Sequence, residues 1–148
     1  MNIRKATSED VHAVRELGAT VSEFAVNEKT VNFWPEELLA QAMQSDDVLI
    51  LVAEDVALVG FVIVSYNRGL KKALIENVYV QPNKRGQGIS DKLLGRAFEL
   101  LIEKGCEYIA TLVPPDAQSA IGLYTRNGFS KGEQFVWLDR SLSDIFKK

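Results

Sequence analysis

The chain has 148 residues, 47% apolar and 25% charged, which suits one soluble domain over 1–148 with a core that needs no disulfide or metal staple. Its 17 basic and 20 acidic residues leave a net charge of −3, so the chain as a whole offers no electrostatic case for nucleic acid. The single cysteine, Cys106, excludes an internal disulfide. No apolar run is long enough to span a bilayer, and MNIRKATSED lacks the apolar segment of a secretion signal. A cytoplasmic protein with no membrane partner is expected.

In chain order, MNIRKA reads as a short strand. TSEDVHAVREL begins a helix, with Thr7 or Ser8 able to cap it and Glu9 and Asp10 suited to the positive end of its dipole. Val11, Val14 and Leu17 give that helix one buried face. AVNEKTVNFW is poorly periodic, and Pro35 then fits the first turn of a second helix, PEELLAQAMQ. DVLILVAED and ALVGFVIVSYN are rich in β-branched residues and separated by a turn near Glu54 and Asp55, which predicts an antiparallel pair. KALIENVYVQP is the next strand, stopped by Pro82.

The following helix carries Ile89, Leu93, Leu94, Ala97, Phe98, Leu101 and Ile102 as an apolar stripe and ends at Gly105. CEYIATLVP is a strand, DAQSAIGLYTRN a helix closed by Asn127-Gly128, and EQFVWLDRS a last strand. Strand, helix and strand around the glycines of QPNKRGQGIS form a crossover unit and are expected to run parallel, whereas the earlier hairpin is antiparallel. The order predicts an α/β (α+β) fold: a mixed, mostly antiparallel central sheet with one parallel β-α-β crossover and helices on both faces.

The stretch YVQPNKRGQGIS places Lys84, Arg85, Gly86 and Gly88 between a strand and the start of the strongest amphipathic helix. Helix N-termini present unpaired N–H groups, so this junction is suited to an anion such as phosphate. A P-loop is excluded because no Gly-Lys-Ser or Gly-Lys-Thr follows, and the dinucleotide fingerprint lacks its third glycine. A bare turn that only needs glycine for positive φ is the simplest alternative.

VYVQPNKRGQGISDKLL resembles the acetyl-coenzyme A-binding motif of the GCN5-related N-acetyltransferases (GNAT), a strand ending Val-x-Pro followed by Arg/Gln-x-x-Gly-x-Gly/Ala and a helix. Arg85, Gly88 and Ser90 stand at its three defined positions, with serine in place of the usual glycine or alanine. AIGLYTRNGF is similar to that family's later helix, a tyrosine followed by Gly-Phe, and the element order matches along nearly the whole chain. The resemblance implies the GNAT fold, acetyl-CoA as co-substrate and no metal. It implies that the two parallel strands splay, so that backbone groups around Val78, Tyr79 and Val80 meet the pantetheine amides. Coenzyme pyrophosphate would then sit on the N–H groups of Arg85, Gly86, Gln87, Gly88, Ile89 and Ser90.

Acetyl transfer to an amine needs a neutral nucleophile, a polarised thioester carbonyl and a proton for the leaving thiolate. Deprotonating a lysine-like amine at pH 7 costs about 4–5 kcal/mol, so a base or water relay helps. The backbone N–H near Val78 is the expected oxyanion partner. A phenol, with pKa about 10, can protonate a thiolate whose own pKa is about 8.5, and Tyr124 is the expected acid. Packing in a core is the competing role for that ring. Glu76 is the candidate base and Asn77 its neighbour on the strand, with alternation placing the two on opposite faces. The family's coenzyme-touching asparagine matches Ala117 here, which leaves Ser119 or Gln118 as substitutes. Phe24, Phe33 and Trp34 are candidate walls of the acceptor pocket, with core packing as the alternative.

Cys106 has no histidine nearby in sequence and reads as a packing thiol, and the lone His12 forms no metal site. Lys71, Lys72, Lys84 and Arg85 are too modest a cluster on an acidic chain to argue for nucleic acid. The leading expectation is an N-acetyltransferase acting by direct attack of a small-molecule or protein amine in a ternary complex. A catalytically inactive acyl-CoA-binding or sensing module of the same fold is the alternative. The apolar-rich segment EQFVWLDRSLSDIF is a candidate interface for a homodimer.

Overall fold

The computed structural model describes residues 1–21 and 33–146, and these fall into two compact units, Met1–Val113 and Pro114–Lys148. The first holds β1 (Asn2–Lys5), α1 (Val11–Ala19), α2 (Glu36–Met43), β2 (Val48–Glu54), β3 (Leu58–Asn67), β4 (Lys72–Val80), α3 (Ile89–Glu103) and β5 (Tyr108–Ala110). The five strands form one sheet in sequential order. β1 to β4 pair antiparallel, and β4 with β5 is the parallel pair that the crossover through α3 requires. No helix among the described residues is long and apolar enough to cross a membrane.

β2 is buried at five consecutive positions, Leu49 to Ala53, rather than at alternate ones. That pattern arises when both faces of a strand are covered. On one face Ile50, Val52, Phe61 and Ile63 pack with Val11 and Val14 of α1 and with Phe33, Leu39 and Ala42. On the other lies α3, which buries Ile89, Leu93, Leu94, Ala97, Leu100 and Leu101. The stripe is rotated slightly from the sequence expectation: Leu100 is inside, while Ile102 is 70% exposed. Burying side chains of this size contributes about 1.5–3 kcal/mol each.

The start of α1 is tied down by charge. Arg4 on β1 donates to both carboxylate oxygens of Asp10, at 2.7 and 2.9 Å, and also to Glu54. Asp10 further accepts from the Thr7 backbone N–H at 2.7 Å, so Thr7 starts the helix through its backbone, with Asp10 as the acceptor. The Arg4 guanidinium holds the Asp10 carboxyl below the usual carboxylate range, and the two carboxylates push Arg4 further up. At the far end of α1, an added Cβ on Gly18 would stand 2.2 Å from ring carbons of Phe33. The helix and that ring therefore approach only because position 18 has no side chain.

The second unit carries α4 (Gln118–Arg126). It closes as Asn127-Gly128 predicts: Gly128 takes φ +92°, and the N–H groups of Asn127 and Phe129 both reach the Tyr124 carbonyl at 3.0 Å.

Two expected strands differ. CEYIATLVP yields only the three residues of β5, because its partner β4 pairs with it no further than Leu74. EQFVWLDRS forms no strand: residues 129–141 carry no regular secondary structure. Phe135, Val136, Trp137 and Leu138 are each at least 70% exposed. Their aromatic and β-branched character suits a strand, but a strand exists only where a ladder partner supplies the hydrogen bonds, and no strand among the described residues pairs with them.

Candidate active site

β4 is where regular alternation breaks. Its ladder with β3 matches Ile63 to Asn77 but Val64 to Ile75, so Glu76 is an extra residue, a β-bulge. Up to Ile75, the buried positions of β4 are Ala73 and Ile75, and beyond the bulge Val80 is buried, one residue out of phase. Simple alternation, which set Glu76 and Asn77 on opposite faces, therefore does not apply across this point. Glu76 is exposed and borders an open depression of about 700 Å³ lined also by Ser65, Leu74, Lys72, Tyr108 and Ala110.

Close to the bulge β4 and β5 part. Their ladder comprises Lys72 with Tyr108, Ala73 with Ile109 and Leu74 with Ala110. Past it, Thr111 Oγ1 donates to the Ile75 carbonyl at 3.2 Å, and no described strand meets the β5 side of β4 from Glu76 to Val80. A row of peptide groups is thus left at a free edge.

That edge runs into the glycine loop. After Val80 comes one 3-10 turn, Pro82–Lys84, in which the Arg85 N–H bonds to the Pro82 carbonyl at 3.3 Å. Gly86 and Gly88 take φ +79° and +75°, and nothing stands within 4 Å of where their Cβ atoms would be. Glycine is needed here for backbone conformation, with open space above it. Gly88 is the residue before the first turn of α3. Among the described residues, none of the N–H groups from Gly86 to Ser90 donates to a backbone carbonyl. N–H groups without a backbone partner beside a helix start are suited to an anion.

The two cations differ in their commitments. Lys84 is paired with Asp55 at 3.1 Å. Arg85 donates through Nε to the Val80 carbonyl at 2.9 Å and lies over the Tyr79 ring, 5.7 Å from its centroid. Its backbone-directed bond braces the loop, and its terminal nitrogens remain at the surface. Ile89 is buried beneath the helix start, while Gln87 is exposed and Ser90 half-buried.

On the α1 and α2 side, Phe33 is a core residue, 5% exposed and packed at 5.6 Å, centroid to centroid, against Phe61. Trp34 is half-buried, and its indole N–H donates to Asn77 Oδ1 at 3.0 Å. No sequence signal announces that bond, because its partners are 43 residues apart. Phe24 lies outside the described residues. In the second unit Tyr124 is buried, with its ring edge-on to Phe129 at 5.2 Å. Gln118 and Ser119 belong to the first turn of α4, with Ala117 at the position before it.

The residues set aside on sequence grounds are occupied elsewhere. Cys106 is half-buried with Sγ 3.3 Å from the Tyr108 carbonyl. His12 Nδ1 sits 2.9 Å from Glu36, linking α1 to α2. Lys71 pairs with Glu107, and Lys72 lies over the Tyr108 ring. No group of three or more His, Cys, Asp or Glu that could hold a metal ion occurs among the described residues.

The fold that carries this strand edge, glycine loop and helix start is shared with solved structures. A putative acetyltransferase from Agrobacterium tumefaciens superposes with a TM-score of 0.77 at 18% identity, covering 95% of this chain and 100% of that one. An aminoglycoside N-acetyltransferase in complex with CoA gives 0.75 at 18% identity over 95% and 99% of the two chains. A ribosomal-protein-alanine N-acetyltransferase from Brucella melitensis biovar Abortus gives 0.71 at 18% identity over 95% and 100%. The family model described as Acetyltransferase (GNAT) family matches residues 13–129, most of the chain and both motifs that carry the sequence resemblance. The chain belongs to the GNAT acetyltransferase family.

Proposed function

We propose that the protein transfers the acetyl group of acetyl-CoA to a primary amine by direct attack within a ternary complex. One observation carries the reading: the strand whose edge is left open beyond Leu74 leads straight into the glycine loop. A pantetheine arm with amides and a pyrophosphate need those two features, an unpaired strand edge and a concavity of N–H groups, in that order along one chain.

In this reading the N–H groups from Gly86 to Ser90 hold the pyrophosphate beside the Arg85 guanidinium, and peptide groups of Val78, Tyr79 and Val80 hold the pantetheine. A β4 N–H near Val78 polarises the thioester carbonyl. Glu76, exposed at the bulge, takes the proton from the incoming ammonium directly or through water. The freed nitrogen lone pair attacks the thioester carbon, the nitrogen gives its second proton to water as the tetrahedral intermediate collapses, the C–S bond breaks, and the thiolate receives a proton from the Tyr124 phenol, which solvent then reprotonates. Ser119, in the first turn of α4, is assigned to the coenzyme as well. The family resemblance supports the Tyr124 and Ser119 assignments. Solved relatives include aminoglycoside and ribosomal-protein-alanine N-acetyltransferases, so both small-molecule and protein amines are in scope as acceptors.

The test is release of free thiol from acetyl-CoA across a panel of primary amines, with wild type and Tyr124→Phe side by side. Amine-dependent turnover is expected, with kcat lower by at least about tenfold in the variant, within the usual range for a lost proton donor. Calorimetry with CoA runs in parallel. CoA binding without thiol release from any amine would favour the acyl-CoA-binding module, and turnover unchanged in Tyr124→Phe would remove that residue from the mechanism.

A further inference from the structure

Asn77 stands opposite Ile63, on the face where α1 and α2 pack, immediately after the bulge. The orientation of its carboxamide is fixed by chemistry: an indole N–H can only donate, so the atom that faces Trp34 at 3.0 Å is the amide oxygen. The Asn77 NH2 group is therefore turned away from Trp34, and it donates to no protein acceptor among the described residues. A half-buried amide with its oxygen engaged and two N–H donors uncommitted is a reader of oxygen atoms.

We infer that Asn77 selects acceptors that carry an oxygen next to the reacting amine, and that Trp34 is the positioning residue that aims it. This rests on the acetyltransferase reading, in which the amine reaches the thioester beside β4. The shared chemistry is an amine with a hydroxyl or carbonyl oxygen on the neighbouring carbon, as in an amino sugar or the N-terminus of a peptide. A plain diamine lacks it. A site built to donate to an oxygen discriminates against an analogue without one, because its donors are then left unmet.

The experiment is calorimetric titration of the CoA-loaded full chain with three probes: glucosamine, alanylglycine and 1,4-diaminobutane. At least one oxygen-bearing probe is expected to bind about tenfold more tightly than the diamine, the scale of one good hydrogen bond. Which of the two does so separates the amino-sugar source from the peptide source. Asn77→Asp keeps an oxygen for the Trp34 N–H but replaces the two donors with a charged acceptor. It should abolish or invert that preference with thermal stability close to wild type. Trp34→Phe keeps a ring and loses the N–H, and should narrow the preference about threefold while leaving CoA affinity unchanged. A merely structural role for Trp34 would lower stability without moving the ratio of affinities. Equal affinities for all three probes, no binding by either oxygen-bearing probe, or an unchanged ratio in Asn77→Asp would each overturn the inference and leave the CoA site intact. Loss of CoA binding by wild type would instead sink the acetyltransferase reading and the inference with it.

Discussion

The glycine-loop end and the α1/α2 side of the first unit are built on different principles. At the loop after β4 the working groups are peptide N–H bonds, and the side chains mainly hold the backbone in place: glycine at 86 and 88 for positive φ, and Arg85 braced on Val80 and Tyr79. On the α1 and α2 side the defining contact is between side chains, Trp34 and Asn77, brought together from distant parts of the chain. Backbone recognition constrains sequence at fixed, closely spaced positions, whereas side-chain recognition constrains it wherever the fold brings surfaces together.

This contrast predicts that the two regions fail separately. Gly88→Val forces a β-branched residue into a conformation it resists and puts bulk over the N–H groups. CoA affinity should fall about 100-fold, close to 3 kcal/mol, while the amine preference, where it can still be read, stays the same. A loss of that preference with CoA affinity intact would break the separation. Gly18→Ala acts on the other region: the Phe33 ring must move to admit the methyl group. We expect about 2 kcal/mol of lost stability in urea melts, with CoA binding little changed in the folded fraction.

The smallest effect is at the foot of α1. Asp10 is nearly buried, and its pKa is lowered in the fold, so its ion pair adds stability above the unfolded carboxylate range, and that stability is lost as pH falls through the lower folded value. Asp10→Asn should therefore cost about 1–2 kcal/mol at pH 7, and the difference from wild type should shrink as the pH is taken below 4. A gap that stays constant over that range would mean the charge of Asp10 contributes nothing.

The same contrast explains what could be read in advance. β1 to β4 and α1 to α3 follow from periodicity and turn residues, as does the pairing of β2 with β3, which are neighbours in sequence, whereas β1 meets β2 only across α1 and α2. The glycine loop was readable because two glycines stand directly before a strongly amphipathic helix. The bulge at Glu76 was not, since it is a property of two strands in register and KALIENVYV shows no break by itself. Nor was the absence of a strand at EQFVWLDRS, where composition favours extension but a ladder partner decides. Phe33 and Trp34 are adjacent and aromatic, yet one is core and the other bonds to Asn77, a difference set by the direction each side chain takes from the turn before α2.

The extra residue at position 76 also bears on any attempt to improve this protein. Deleting it would restore one phase of alternation from Lys72 to Val80 and remove an irregularity that consensus or computational redesign is built to erase. It would leave Asn77 opposite Ile63 with its Trp34 partner, but it would take away the Glu76 carboxylate and straighten the strand edge that leads to the loop. A tidier, better-paired strand here would be a repair that removes the proposed base.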